Sequence, residues 1–321
     1  MKRALVVGSA GQDGTLLSRH LLARGTVVMG IDRGLVTLAG ESAATPAPVD
    51  LQNRAEVDRL VEGFQPDEVF YLAAFHHSSE DDAPEDLVVL FERSREVHVD
   101  GWLHVLEAVR RHAPLAHVFY AASSHVFGAP EAPVQNEDTP FNPDNAYGIT
   151  KAAGVQIARF FRARGLHVST GIHYNHESEL RPERFVSQRI VRGALRALAS
   201  RRDGGVYSLE LGSLSAVVDW GYAPDYTDAM QRIVLAGEPN DFVVATGIPH
   251  TVAEFCAAAF TAVGLDAEEF VVERKGRITK QLAPLVGDAT RLRTATGWAP
   301  TLTVHEMVMR LVALAREGAS S

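Results

Sequence analysis

Three glycines near the N-terminus constrain the fold of this chain more than any other feature. Gly8, Gly11 and Gly14 directly follow an apolar run at residues 3–7 and precede leucines at helical spacing. This order predicts a strand, a tight turn and a helix, in which the turn lets a pyrophosphate approach the backbone and the helix N-terminus favours its charge. Asp32 ends a second apolar strand about 20 residues further on, as the dinucleotide-binding pattern requires. We therefore expect a dinucleotide site that includes Gly8, Gly11, Gln12, Asp13, Gly14 and Asp32.

The choice between the two nicotinamide dinucleotides depends on the end of the second strand. A carboxylate at Asp32 accepts hydrogen bonds from the ribose hydroxyls and repels a 2′-phosphate, which favours NAD. Arg33 follows it directly, and an arginine there can pair with the 2′-phosphate of NADP. We expect NAD, with NADP as the alternative.

Apolar strands and amphipathic helices alternate through the first half of the chain. After the strand that ends at Asp32, the pattern predicts helices near 53–63, within 84–112 and across 145–165, and strands at 67–72, 116–122 and 167–173. This alternation indicates an α/β fold with a Rossmann-type, doubly wound parallel sheet covered on both faces. We expect residues 1–174 to form the dinucleotide-binding domain and 175–321 to form mainly a smaller C-terminal substrate lobe. Segments near 217–247 are expected to return to the first domain, and Thr303–Arg316 is expected to be a closing helix.

Composition excludes several classes of function. A formal net charge of −9 argues against a general nucleic-acid binder, and the single cysteine, Cys256, excludes an internal disulfide framework. No apolar run approaches the roughly 18 residues of a membrane span, so we expect a cytoplasmic protein with no membrane partner. The histidines are scattered without the spacing of a metal motif, so no metal site is predicted.

A tyrosine and a lysine four residues apart indicate the chemistry. Tyr147 and Lys151 lie on one face of a predicted helix. A nearby ammonium group stabilises phenolate and would lower the tyrosine pKa from about 10, so that Tyr147 can act as a base. Ser123 ends the preceding strand, where its hydroxyl can bond both the tyrosine and a substrate oxygen. These three residues predict oxidation of a substrate hydroxyl.

The motifs together resemble the extended short-chain dehydrogenase/reductase family, and within it the GDP-mannose 4,6-dehydratases. The resemblance covers nearly the whole chain, and Asn175-His176-Glu177-Ser178 is its most distinctive motif. The matching stretches are Gly8–Gly14, Leu72–Ala74, Tyr147–Lys151, Tyr174–Ser178, Asp219–Gly221, Asp225–Tyr226, Phe242–Gly247 and Gly297–Pro300.

The resemblance implies further site residues and a partner. The residues that it implies along the cofactor, besides Tyr147 and Lys151, are Asp50, Leu51, Leu72, Ala73, Ala74, His76, His176 and Arg181. His77, Asn175 and Arg189 are expected to contact the substrate. The family also implies a homodimer built from the helices within 84–112 and 145–165.

One departure from the family lies at the catalytic strand end. Where the family has Thr-Ser-Glu, this chain has Ser123, Ser124 and His125. The glutamate is the family's base for removing a C–H proton next to the transient ketone. A neutral imidazole titrates near 6.5 and can take that proton, so we expect His125 to replace it. The alternative is that His125 only contacts the substrate of a reductase or epimerase.

A second departure concerns the substrate diphosphate. The basic pair that the family carries before Asp219 is replaced by Val217 and Val218. Lys280, Arg277 or Arg189 would have to supply the missing charge. We therefore hypothesise an unusual substrate, such as a nucleoside or another sugar derivative of the kind used in antibiotic pathways.

The functions that remain are ordered by how well they use these residues. A dehydratase acting on the sugar of a sugar nucleotide or nucleoside comes first, an NAD-dependent epimerase second and a net ketosugar reductase third. A non-catalytic dinucleotide sensor comes last, because a sensor has no use for an activated phenol.

Overall fold

A computed structural model describes residues 1–33, 35–40, 48–75, 86–274 and 284–318. Its strands are β1 (Arg3–Val7), β2 (Val27–Asp32), β3 (Leu35–Ala39), β4 (Glu68–Tyr71), β5 (His117–Ser123), β6 (Val168–His173), β7 (Asn175–Glu177), β8 (Leu209–Leu211), β9 (Val217–Tyr222), β10 (Asp241–Val244), β11 (Pro249–Thr251) and β12 (Val271–Glu273). Its α-helices are α1 (Gln12–Ala23), α2 (Arg54–Phe64), α3 (Leu87–Arg95), α4 (Gly101–His112), α5 (Ala146–Arg162), α6 (Val186–Arg202), α7 (Ala223–Val234), α8 (Val252–Thr261), α9 (Thr290–Thr296) and α10 (Val304–Gly318).

Within these ranges, seven strands form the main sheet in the order β10-β6-β5-β4-β1-β2-β3. All neighbours in it are parallel except β3, which runs antiparallel to β2. This topology confirms the predicted Rossmann-type fold, and it brings the carboxyl ends of β1, β4, β5 and β6 to one edge. The antiparallel strand β3 was not predicted from the sequence. It pairs as a hairpin with β2, in register from Asp32 with Leu35 to Val28 with Ala39.

Helices cover both faces of the main sheet. Val61 of α2, Val105 of α4 and Val155 of α5 are fully buried in the core on one face. Leu17 of α1, Met230 of α7 and Leu292 of α9 belong to the core on the other face. Because each helix buries its apolar side against the sheet, the carboxyl ends of the strands are the edge left open for ligands.

A third core lies outside the main sheet. It joins side chains of α6, α8 and α10 with Leu209 of β8 and Trp220 of β9. The short sheets β11-β9-β7 and β12-β8 accompany it. None of the helices in the described ranges is both long enough and apolar enough to cross a lipid bilayer.

The long helix predicted within 84–112 is interrupted. Between α3 and α4 lies a π-helical turn over Glu96–Asp100. A wider turn frees backbone carbonyls from helical bonding, and two tyrosine hydroxyls from the sheet bond to them. Tyr71 donates to the carbonyl of Val97 over 2.5 Å, and Tyr120 donates to that of His98 over 3.5 Å. The interruption therefore fixes this helix against β4 and β5.

Candidate active site

The glycine turn is shaped by close backbone contacts. Gly8 has φ +91°, and a Cβ there would lie 2.6 Å from the amide nitrogen of Ala73. A Cβ on Gly14 would overlap the carbonyl oxygen of Gly8. The turn thus closes on itself and on the segment after β4, which is possible only without side chains at these two positions.

The space in front of this turn fits an anion. Helix α1 begins at Gln12 with Gly11 as its N-cap, a residue that has no side chain to bond the first backbone N–H groups. A helix N-terminus with free N–H groups is a binding site for phosphate. Asp32 is held beside the turn because its carboxylate accepts a hydrogen bond from the amide of Ala10 over 3.0 Å. Arg33 has φ +47°, and its side chain is 96% exposed. These residues fit the dinucleotide predicted from the sequence.

Of the other residues predicted along the cofactor, Leu72 and Ala73 lie beside the same turn. The amide of Leu72 donates to the carbonyl of Val7 over 2.8 Å, which places residues 72–74 beside the turn. Leu51 is half-buried and its carbonyl accepts from His104 Nδ1 over 2.8 Å, whereas Asp50 is exposed. His76 and His77 lie outside the described residues.

The catalytic residues predicted from the sequence meet at the start of α5. Lys151 is 1% exposed, and its Nζ donates to the carbonyl of Ala121 over 2.8 Å. That nitrogen lies 5.8 Å from the centre of the Tyr147 ring. The phenol of Tyr147 hydrogen-bonds Ser123 at the end of β5. A hydroxyl, a phenol and an ammonium group are therefore grouped beside the dinucleotide edge.

The pKa of the phenol differs from the sequence prediction. Burial raises the pKa of Tyr147 to about 12, against the lowering effects of the Ser123 hydrogen bond and the Arg181 charge. Burial also lowers the pKa of Lys151 to about 7. The prediction that Lys151 lowers the tyrosine pKa is therefore wrong for the protein chain alone. Desolvation of both groups outweighs their proximity.

His125 lies directly beside the phenol. It belongs to a short 3₁₀ turn over Ser124–Val126, and its ring meets the ring of Tyr147 edge-on, with centres 5.6 Å apart. Burial lowers the pKa of His125, while Asp144 opposes this effect. His125 is consequently neutral at physiological pH. Ser124, by contrast, is only 4% exposed.

An ion pair joins the distinctive motif to the glycine turn. His176 Nε2 lies 3.0 Å from a carboxylate oxygen of Asp13, and its Nδ1 lies 2.7 Å from the carbonyl of Tyr174. Both ring nitrogens face acceptors, so both carry protons. Burial lowers the pKa of His176, but Asp13 raises it more, and the net shift is upward. With His173, these residues form a set of three potential metal ligands whose ligand atoms lie within 4.8 Å of one another. A metal ion bound there would have to displace the proton that joins His176 to Asp13.

Sequence reasoning missed His98 in the π-helical turn. His98 is fully buried, and its Nε2 accepts the backbone N–H of Phe75 over 3.1 Å. Because an amide can only donate, the proton sits on Nδ1, which donates to Thr150 Oγ1 over 2.8 Å. The ring also meets Tyr147 edge-on at 5.3 Å. No spacing in the sequence marks this residue, because its partners come from two distant segments.

The predicted substrate contacts lie on a separate set of elements. Asn175 is exposed at the start of β7, and Arg189 of α6 donates to the carbonyl of Glu210 over 2.8 Å. Val217 and Val218 are half-buried in β9 and pair with β11. Two proposed substitutes for the missing basic pair, Arg277 and Lys280, lie outside the described residues.

The fold and this grouping define a Rossmann-type enzyme of the extended short-chain dehydrogenase/reductase class. A family model described as GDP-mannose 4,6 dehydratase matches residues 5–311. The chain belongs to the GDP-mannose 4,6-dehydratase family.

Two curated relatives belong to this family, and two solved structures share the fold of the chain. GDP-mannose 4,6 dehydratase 1 of Arabidopsis thaliana is 34% identical, over 97% of this chain and 89% of its own length. GDP-mannose 4,6 dehydratase 2 of Caenorhabditis elegans is 31% identical, over 97% and 88%. Among solved structures, dTDP-glucose 4,6-dehydratase from Bacillus anthracis in complex with NAD has a TM-score of 0.81 at 16% identity, covering 100% of this chain and 98% of that one. UDP-glucose 4-epimerase from Thermus thermophilus in complex with NAD has a TM-score of 0.75 at 26% identity, covering 99% of each chain.

Proposed function

We propose that this chain is an NAD-dependent dehydratase that acts on the sugar of a sugar nucleotide. The reaction oxidises one sugar hydroxyl, eliminates water from the neighbouring carbons and reduces the resulting double bond in the same turnover. The observation that carries the proposal is the grouping of Ser123, Tyr147 and Lys151 beside the uncapped N-terminus of α1. NADP stays the alternative cofactor, because Arg33 adjoins Asp32.

The proposed roles follow from the hydrogen bonds at the site. Tyr147 takes the proton of the sugar hydroxyl, and Ser123 holds the same oxygen while bonding the phenol. Lys151 brings a cation to the cofactor side of the phenol, fixed by its bond to Ala121. When bound, NAD supplies a reversible hydride acceptor and a positive charge. A positive charge beside a buried phenol lowers its pKa, which offsets the desolvation of Tyr147.

His125 is proposed as the base for the elimination. Oxidation of the hydroxyl to a ketone acidifies the adjacent C–H, and a neutral imidazole can accept that proton. The lowered pKa of His125 keeps it neutral, and its place beside Tyr147 puts both bases at one sugar. The protonated ring can then protonate the departing hydroxide. Ser124 is proposed to support the turn that carries His125.

The remaining predicted residues are proposed to bind the ligands. Arg181, His176 and Asp13 border the cofactor, together with Asp50, Leu51 and the segment at 72–74. Asn175 and Arg189 are proposed to contact the nucleotide or sugar. The hypothesis of an antibiotic-type pathway stays a prediction, as does the role of the valines at 217–218.

A test of the function uses product analysis rather than absorbance. The purified enzyme is supplied with NAD and incubated with GDP-mannose, dTDP-glucose or UDP-glucose in three separate reactions. We expect one of them to lose a molecule of water with no lasting accumulation of NADH, since the hydride returns. Stoichiometric NADH would instead indicate a dehydrogenase, and an isomer of unchanged mass would indicate the epimerase. Turnover of none of these, with tight binding of a free nucleoside, would support the unusual substrate.

Two substitutions assign the residues. Tyr147→Phe should lower turnover by at least about a hundredfold, the lower range for general acid–base catalysis, while NAD binding stays near wild type. His125→Gln should allow oxidation but block elimination, so that NADH and a ketosugar accumulate. His305→Gln, at an exposed histidine of α10, serves as the matched histidine control. Wild-type dehydration by the Tyr147 variant would refute the assignment.

We also infer a homodimer through α3, α4 and α5. Their large apolar side chains are unusually exposed in the single chain: Leu87 75%, Val88 63%, Phe91 42%, Leu103 37%, Ile149 40% and Phe160 50%. Such a patch marks an interface. In sedimentation, Phe160→Glu should shift the protein to monomer, whereas Leu115→Glu, at a residue 91% exposed outside these helices, should not. A monomeric wild type would contradict the inference.

A further inference from the structure

A cavity of about 350 Å³ lies against α6, between Gln188 and Ala199. Three arginines and one glutamate line it, with Gln188 and Leu195 completing most of its wall. The four charged residues are Arg181, Glu183, Arg192 and Arg196. None of the functions proposed above uses Arg192 or Arg196.

The positive charge of this cavity is only partly neutralised. Arg196 pairs with Glu183 over 2.6 Å, and Arg181 lies 3.5 Å from Glu177. Arg192 has no hydrogen-bond or ion-pair partner in the part of the chain that the structure describes. This occurs in a protein whose net charge is −9. Converging guanidinium groups with an unpaired member are the arrangement that recognises phosphate.

We propose that this α6 cavity binds a small phosphate-bearing anion, separate from both NAD and the sugar nucleotide. Its volume is near the lower end of ligand pockets, which begin at about 300 Å³. That size suits a phosphate monoester with a sugar-sized group and excludes a dinucleotide. Leu195 and Ala199 offer an apolar wall for the ester group.

The cavity shares Arg181 with the catalytic site. The charge of Arg181 lowers the pKa of Tyr147, so an anion bound beside Arg181 would weaken that effect. The phenol would then be harder to deprotonate, and turnover at neutral pH would fall. This regulatory consequence rests on the proposed function, whereas the binding itself does not.

The test measures binding without turnover. Isothermal titration calorimetry is run on the full chain, both without NAD and saturated with NAD, with inorganic phosphate and with glucose 6-phosphate as probes. We expect the sugar phosphate to bind more tightly than phosphate, and Arg192→Gln to weaken its binding at least about tenfold, as loss of a charged hydrogen bond implies. Glu183→Gln should tighten binding, because it removes the competing carboxylate. Arg202→Gln, an exposed arginine of the same helix, should leave binding unchanged.

Three outcomes would overturn the proposal. Equal affinity of wild type and Arg192→Gln would show that the unpaired arginine does not bind the anion. Binding that disappears when NAD is saturating would assign the cavity to the cofactor. Binding that is unchanged by Glu183→Gln would contradict the charge argument. The Tm of Arg192→Gln shows whether that variant is folded. Because none of these readouts depends on dehydration, failure of the proposed function would be recognised separately.

Discussion

Lys151 holds an ammonium group at a place where only 1% of the residue is exposed. Its ammonium group donates a hydrogen bond to the carbonyl of Ala121. Burial disfavours the charged form and the charge of Asp13 only partly opposes this effect, which explains the pKa near 7. At the scale of the residue, the buried ammonium group of Lys151 is therefore a source of instability.

This instability predicts a pH dependence. In the unfolded chain Lys151 keeps its proton up to about pH 10.5, whereas the folded chain releases it near pH 7. Between these values the unfolded state binds more protons, so the wild type gains stability as pH rises from 7 to 10. Lys151→Met removes the buried charge and should be more stable than wild type at pH 6 by several kcal/mol, at about 1.4 kcal/mol per pKa unit.

The difference in unfolding free energy between wild type and Lys151→Met should shrink steadily towards pH 10. Thermal unfolding without cofactor, across pH 6–10, measures it. Lys2→Met, at a side chain that is 59% exposed, should show no such trend. A constant difference between wild type and Lys151→Met would contradict the buried-cation argument.

At the scale of the element, the glycine turn distinguishes two kinds of glycine. Gly14 has no room for a side chain, because a Cβ would overlap the carbonyl of Gly8. Gly11 has room, since its Cβ would approach nothing closer than 3.4 Å. Gly14 is needed for the turn itself, and Gly11 is needed for the ligand that the turn faces.

Alanine substitutions should separate these roles. Gly14→Ala should lower the free energy of unfolding by about 1–3 kcal/mol, as overpacking does, and abolish NAD binding. Gly11→Ala should keep stability within about 1 kcal/mol but weaken NAD binding, because the methyl group enters the space for the pyrophosphate. Denaturation and NAD titration measure the two effects. Unchanged NAD affinity in Gly11→Ala would place the pyrophosphate elsewhere.

At the scale of the whole molecule, Asp219 joins separate parts of the chain. One carboxylate oxygen accepts from the amide and hydroxyl of Thr246 over 3.0 and 2.5 Å. The other accepts from the amides of Gly247 and Gly287 over 2.9 and 3.2 Å. A strand of the small sheet, the end of β10 and the segment before α9 thus meet at one side chain, which is 1% exposed.

Asp219→Asn should loosen this junction. The amide group has the shape of the carboxyl but presents N–H groups to two of the donors, leaving them unsatisfied. We expect a loss of about 2–6 kcal/mol in unfolding free energy, at about 1–3 kcal/mol for each of the two buried unsatisfied groups. Urea denaturation measures it, with Asp266→Asn as control, because asparagine serves equally well at that exposed helix cap. Equal losses in both variants would refute the role of the junction.

The sequence predicted those parts of the molecule that depend on local pattern. Periodicity located the strands at 3–7 and 168–173 to within a residue or two, and the glycine spacing located the turn. It did not predict β3, a strand of five residues that depends on its hairpin pairing with β2. It also missed the π-helical turn, which depends on tyrosine hydroxyls in other strands.

The candidate site shows the same division. Tyr147 and Lys151 were found because they are four residues apart on one helix, a local relation. The rise in the pKa of Tyr147 was not predicted, because it results from burial by the surrounding fold. His98 was missed for the same reason, since Phe75 and Thr150 come to it from both sides in sequence.

The hydrogen bond from Phe75 to His98 has a spectroscopic consequence. An imidazole nitrogen that accepts a proton donor is of the imine type, and its ¹⁵N resonance is well separated from that of a protonated nitrogen. Histidine labelled with ¹⁵N would therefore make His98 an internal reporter of the segment after β4. Its signal would report, without an added dye, whether the backbone at Phe75 keeps its hydrogen bond to the π-helical turn.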